Sequence, residues 1–210
     1  MAVDLLSLMK IAPIFLVALA SPGPDFLLIS SLAMKRGRAA GLAGASGIAL
    51  GNMNYAFLCI FGLSYMLARM AWLLLTIKIV GGLYLIYLGY QLWKASLKPA
   101  VSGTNEAQQV SPKRNPFVMG LMTNVTNPKA LAFFTSVFAL IVQPSINIET
   151  QIAIILLIGF MSFAWFSFVS LALSTTHMRK LYMRSSSWID RIAGTFLALF
   201  GVKLLVSARN

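Results

Sequence analysis

Histidine and cysteine each occur once in the 210 residues, as His177 and Cys59, and only five residues are acidic. A single cysteine excludes an intrachain disulfide, and a single histidine excludes a multi-histidine metal site. With so few acids, no nucleophile with its base and orienting group is evident, so the chain reads as neither an enzyme nor a holder of a metal or cofactor. Cys59 is read as a small apolar filler in a helix and His177 as a loop-edge residue. Charge of either sign is scarce, at 10% of residues against about 25% in a soluble domain.

What is present in quantity is apolar: 59% hydrophobic residues and a mean hydropathy of +0.81. The apolar runs are too long and too frequent to be enclosed by an aqueous surface, so membrane lipid is the expected solvent and one membrane domain the expected unit. A net charge of +12 would suggest a nucleic-acid partner in a soluble protein. Here the basic residues lie between apolar runs, where they act as topology signals, and no nucleic acid is expected. At the N-terminus, Lys10, the run from Ile11 and the small pair Ala18 and Ala20 imitate a secretory signal. Cleavage is not expected, because apolar character resumes after Ser21-Pro22-Gly23-Pro24 and runs through Phe26 to Ile29.

Runs of about 20 apolar residues predict six transmembrane helices, near 5–33, 41–66, 71–93, 116–142, 150–176 and 188–207. The polar stretch from Lys94 to Asn115 reads as a flexible linker between two three-helix halves, 1–93 and 116–210. Basic residues follow the first helix (Lys35, Arg36, Arg38), the third (Lys94, Lys98, Lys113, Arg114) and the fifth (Arg179, Lys180, Arg184, Arg191). The other side holds Lys10, Arg69 and Arg209. This asymmetry puts the three basic loops in the cytoplasm and both termini outside.

The halves echo each other. Gly82 and Gly89 in the third helix match Gly194 and Gly201 in the sixth at the same separation, and a proline break recurs, at Ser21-Pro22-Gly23-Pro24 in the first helix and Asn127-Pro128 in the fourth. Three helices per half is an odd number, so the halves enter the membrane from opposite sides as an inverted repeat. Matching broken helices in such a repeat point to a transporter site.

Proline in a helix removes a backbone hydrogen bond, which in hydrocarbon is tolerated only against protein or a wet cavity. Asn127-Pro128 has the pattern of an N-cap and first helical residue, and Gly23-Pro24-Asp25 can likewise start a new half-helix. Each break lies about 13 or 14 residues, roughly 20 Å, from a basic edge and hence near mid-membrane. Two half-helix N-termini pointing at each other would favour a small anion such as a carboxylate. Asp25 and Lys129 flank the breaks, each at a cost of at least about 2.5–3.5 kcal/mol at that depth. Asp25 is the candidate acceptor of a substrate ammonium or a proton. Lys129 would support a substrate carboxylate or neutralise Asp25 in the empty site. The competing reading is a buried ion pair that fixes packing. Asp25 is also the only carboxylate this reading places deep in the membrane.

Lys78 is a further candidate, with snorkelling to the surface an equal alternative. Asn52, Asn54 and Asn124 read as interhelical hydrogen-bonding residues. The glycines at 37, 41, 44, 47 and 51 read as a close-packing face, which serves internal packing or a homodimer equally well. Trp72, Trp93 and Trp188 read as interface anchors.

Four segments, at 21–27, 37–51, 78–89 and 127–130, together with the last glycine-bearing helix, resemble the lysine exporter (LysE/RhtB) family of bacterial amino-acid exporters. The resemblance implies a protein of the bacterial cytoplasmic membrane that expels amino acids or close derivatives, coupled to the proton gradient. It carries interest to Pro22, Gly23, Pro24, Asp25, Lys78, Asn127, Pro128 and Lys129. The alternative is a passive channel or a regulatory membrane subunit, although no filter loop or ring of like groups is present.

Overall fold

The computed structural model describes residues 3–21, 23–67, 71–97, 114–141, 147–174 and 176–208. Among these the chain is all helical: α1 Leu5–Ala20, α2 Pro24–Arg36, α3 Arg38–Leu67, α4 Ala71–Ser96, α5 Pro116–Val125, α6 Pro128–Ile141, α7 Ile148–Leu173 and α8 Thr176–Val206. By length and composition, α3, α4 and α7 are each apolar and long enough to cross a bilayer. The pair α1 and α2, bent by 59° at its break, is together long and apolar enough for a broken span or a re-entrant loop, and α5 is a shorter apolar helix.

Local chemistry sets the helix starts. Asp4 caps α1 by accepting from the Leu6 amide (3.0 Å), Asn115 caps α5 (2.9 Å to Phe117) and Asn147 caps α7 (2.9 Å to Thr150). Proline stands in the first turn of α2 and α5, where its missing N–H is no loss. Gly37 ends α2 at φ +86°, in the region that only glycine enters freely. The two expected breaks are thus observed, with α1 and α2 dividing one predicted span and α5 and α6 the other.

One boundary is corrected. The sixth helix was expected from residue 188, but α8 starts at Thr176, so Arg179, Lys180, Arg184 and Arg191 lie in a helix and not in a loop. The segment is polar enough to fall outside an apolar run, yet no glycine or proline stands between Gly159 and Gly194 to stop a helix rich in Arg, Lys, Leu and Met. The expected linker is shorter than predicted, because α4 continues through Lys94 to Ser96 and Asn115 already caps α5. Residues 98–113 lie outside the described residues, as does Pro22.

The glycine face of α3 is consumed by packing inside the protein. A Cβ at Gly44 or Gly47 would strike α2 or the backbone of α5, one at Gly51 would strike Asn124, and one at Gly41 would strike Ser170 of α7. The helices α4 and α8 run antiparallel with Gly82 against Gly201 and Gly89 against Gly194, each glycine meeting the other's carbonyl. The glycine echo between the halves is therefore also a physical contact. Around these crossings Leu28, Ile29, Leu32, Ile48, Ile60, Ile154 and Ile158 form a fully buried core. Many large apolar side chains, Phe57, Phe160 and Leu199 among them, face outward, as expected where the solvent is lipid.

Candidate functional site

The two breaks meet at a small cavity of about 40 Å³. Gly23 and Asp25 from the start of α2, Asn127 and Lys129 from the start of α6, Ser21 from the end of α1 and Asn52 from α3 supply its polar lining. Space of that size holds a few waters. It is well below the roughly 300–1,000 Å³ of an ordinary small-molecule pocket.

Asp25 is buried in the first turn of α2. Its Oδ2 accepts from Asn124 Nδ2 at 2.8 Å, and the same amide donates to Asn52 Oδ1 at 3.0 Å. Asn52 in turn donates to Ser162 Oγ at 2.9 Å. One polar chain thus ties α2, α5, α3 and α7 together at the level of the breaks. Asn52 and Asn124 do what was expected of them, and Asn124 in addition holds the Asp25 carboxylate. The other oxygen, Asp25 Oδ1, is buried with no hydrogen-bond partner, as are Ser21 Oγ and Asn124 Oδ1. Unpaired buried acceptors of this kind are costly, and in native proteins they call for an explanation such as water or a ligand.

Lys129 does not bond to Asp25. Its Nζ donates to the carbonyls of Ser21 (2.8 Å) and Ala18 (3.2 Å), at the C-terminal end of α1. Those carbonyls have no partner within their own helix and carry its partial negative charge, which an ammonium satisfies. The end of a broken helix was read in the sequence only as a new N-terminus, but the same break also exposes the carbonyl end of the preceding half. The N-terminus of α6 is itself engaged, since Asn127 Oδ1 accepts from the Lys129 amide at 3.0 Å. Pro24 and Pro128 occupy the first positions of α2 and α6. A Cβ on Gly23 would lie 3.5 Å from the Lys129 side chain, an ordinary van der Waals contact.

Lys78 is not part of this cluster. It lies on α4 and donates to the Ser207 carbonyl at 3.0 Å, just beyond α8, so it does for α8 what Lys129 does for α1. Asp190, which the sequence reading did not place in the membrane interior, is buried on α8 with Oδ1 unpartnered. It lies in the electrostatic surroundings of Lys129, so Asp25 is not the only buried carboxylate. The available signal was register. Asp190, Ala193, Gly194, Leu197, Gly201 and Leu204 fall on one buried stripe of α8. Placing the helix start at 188 left Asp190 looking like an end residue.

Aromatic rings close one wall of the cavity. Phe15 of α1 meets Phe133 and Phe134 of α6 at 5.8 and 5.7 Å between centroids. Tyr55 of α3 stacks on Phe134 at 5.5 Å while its hydroxyl donates to the Val125 carbonyl at 2.7 Å. A second, larger space of about 440 Å³ lies between α4 and α6, lined by groups such as Val80, Tyr84 and Leu131 and by no charged side chain.

Comparison with known proteins gives the family. The family model for LysE type translocators matches residues 16–208. The threonine efflux protein of Escherichia coli K12 is 38% identical over 204 residues, covering 97% of this chain and 99% of that protein. The threonine efflux protein of Salmonella typhi is 37% identical over 198 residues, covering 94% and 96%. An uncharacterized membrane protein of Haemophilus influenzae is 32% identical over 204 residues, covering 94% and 95%. No solved structure matches. The chain belongs to the LysE type translocator family, and it is a membrane translocator and not an enzyme.

Proposed function

We propose that this LysE type translocator exports a small polar amino acid of the threonine class across the bacterial cytoplasmic membrane, in exchange for protons, by alternating access at the cavity between the two breaks. The observation that carries this reading is the pairing of an Asp25 carboxylate, one oxygen open, with a Lys129 ammonium in one cavity. An amino acid in water is a zwitterion. Its ammonium fits the open Asp25 oxygen and its carboxylate fits Lys129, while the unpartnered Ser21 hydroxyl offers a bond to a side-chain hydroxyl. The cavity is smaller than the substrate, so the walls must separate to admit it, which is what rocking of one half against the other supplies.

The six-span inverted repeat belongs to the same reading. It is supported by the two proline breaks, by the antiparallel glycine contacts of α4 and α8, and by a lysine at the carbonyl end of both α1 and α8. Both termini then lie outside, with Lys35, Arg36, Lys94, Arg114 and the basic first half of α8 toward the cytoplasm. Because the α3 glycines are filled from within, a homodimer would use another face.

The test is counterflow of a labelled amino-acid panel in proteoliposomes, comparing wild type with Asp25→Asn and Lys129→Ala at two imposed pH gradients. Saturable exchange of threonine or a similar amino acid, lost in both folded variants and driven by the gradient in wild type, is the expected result. Absence of exchange for every amino acid, or normal exchange in both variants, would refute the site.

A further inference from the structure

Once the charged ends of an amino acid are assigned to Asp25 and Lys129, the rest of the cavity lining is what its side chain can meet. Asn52 and Asn127 are already bonded within the protein. Beyond the Ser21 hydroxyl, the remaining surface is mainly apolar, and much of it is phenylalanine. Phe15 of α1 and Phe133 and Phe134 of α6 all stand on the lining, and all three are buried. They also pack on one another. Phe15 lies 5.8 Å from Phe133 and 5.7 Å from Phe134 between centroids, and Phe133 meets Phe134 edge to face at 5.6 Å and 88°. Rings at these separations attract and orient each other, so the wall is one packed unit.

This unit has an anchor outside the cavity. Tyr55 of α3 stacks on Phe134 at 5.5 Å with the rings 15° from parallel, and its hydroxyl donates to the Val125 carbonyl at 2.7 Å. Val125 is the last residue of α5. In an unbroken helix its carbonyl would accept from the Lys129 amide four residues on, but that amide donates to Asn127 Oδ1. The break therefore frees a carbonyl, and the Tyr55 hydroxyl satisfies it. Phe134 is thus held from α3 and tied to the same break that supplies Lys129.

We propose that Phe15, Phe133 and Phe134 form the specificity wall of this translocator, the surface that the side chain of a bound amino acid meets, and that Tyr55 is the positioning residue that holds the wall in register. The assignment rests on the transport reading above and deepens it, by limiting export to short side chains such as that of threonine. Phe15 and Tyr55 belong to the first half of the chain, Val125, Phe133 and Phe134 to the second, so these contacts form as the halves close on the cavity. A side chain too long for the closed wall keeps the rings apart and stops the closure that its own transport needs. Phe134 touches Phe15, Phe133 and Tyr55, and rings packed in this way do not yield to an added methylene without strain. One methylene against an apolar wall is worth about 10–200-fold in discrimination.

The test is counterflow in proteoliposomes with labelled threonine, valine and leucine, read as Vmax/KM for each, in wild type, Phe133→Ala, Phe134→Ala and Tyr55→Phe. Valine has the shape of threonine without its hydroxyl, and leucine adds one methylene, so the valine-to-leucine ratio reports size alone. In wild type that ratio is expected to be at least about tenfold. It should fall to within about twofold of one in Phe133→Ala and Phe134→Ala, and by about threefold in Tyr55→Phe, while the threonine-to-valine ratio keeps its wild-type value in all three. A wild-type valine-to-leucine ratio near one overturns the proposal. So does an unchanged ratio in the folded ring variants, or an equal loss for all three amino acids, which would make the rings packing only. Tyr55→Phe removes a single oxygen, so if the alanine variants do not fold it decides alone, and an unchanged ratio there overturns the proposal. Wild-type protein that exchanges no amino acid refutes the transport reading itself, and that result is seen before any substitution is made.

Discussion

Asn124→Leu is the perturbation that bears most directly on how the site is held. Leucine keeps the branching of asparagine at Cγ but removes the amide that donates to both Asp25 Oδ2 (2.8 Å) and Asn52 Oδ1 (3.0 Å). The first is a bond to an ionisable carboxylate, worth about 1.5–3 kcal/mol, and the second a neutral bond worth about 0.5–1.5 kcal/mol. Both acceptors stay buried once the donor has gone, so the full loss applies, about 2–4.5 kcal/mol. For a domain of this size that corresponds to a fall in Tm of about 5–15 °C. The assay is thermal unfolding in detergent, followed by counterflow of the folded fraction, which should drop at least about tenfold because Asp25 Oδ2 loses the Asn124 amide that positions it. Asn52→Leu leaves the Asp25 bond intact and should lose stability with much less effect on exchange. An Asn124→Leu protein with wild-type Tm and wild-type exchange would refute the reasoning that this chain of amides positions Asp25.

Three further outcomes follow from the geometry. Gly89→Val places a side chain against the backbone of α8 at Gly194 and should sharply reduce folded protein in a membrane-expression assay, whereas Gly62→Ala, with nothing within 4 Å, should leave the yield unchanged. Lys78→Ala removes an ammonium from the carbonyl end of α8, so Tm should fall by the equivalent of about 0.3–1 kcal/mol while counterflow KM stays at the wild-type value, because Lys78 is outside the cavity. The Ser7 hydroxyl bonded to Asp4 at 2.6 Å holds that carboxyl below its ordinary value. Its capping contribution is therefore present above the usual carboxylate range and lost as pH falls through the lowered value. Amide protection factors in the first turn of α1, corrected for the intrinsic pH dependence of exchange, should fall on acidification in wild type and be low at all pH values in Asp4→Ala.

Several features were legible in the chain because their causes are local. Each proline break is written within four residues, and the Asn127 cap with Pro128 behind it needs only its own turn to form. The interhelical role of Asn52 and Asn124 was legible as a class, since an amide inside an apolar helix must find a partner. Their partners were not legible. Asn124 meets Asp25 across 99 positions and Asn52 across 72, and nothing in either segment encodes the rotation that brings them together. The start of α8 was missed because hydropathy reports where lipid begins and not where a helix does.

The sequence by itself determined that this is a helical membrane protein with two proline breaks, a deep carboxylate and a deep ammonium beside them, because apolar runs, caps and breakers act through bonds a few residues long. Only the tertiary structure decided that Lys129 rests on the carbonyl end of α1, that Asn124 holds one oxygen of Asp25 and leaves the other open, and that Asp190 is buried on α8. Those outcomes depend on how whole helices cross and turn. The close glycine contacts of α3 with α5 and of α4 with α8 fix that arrangement through packing distributed over the entire chain.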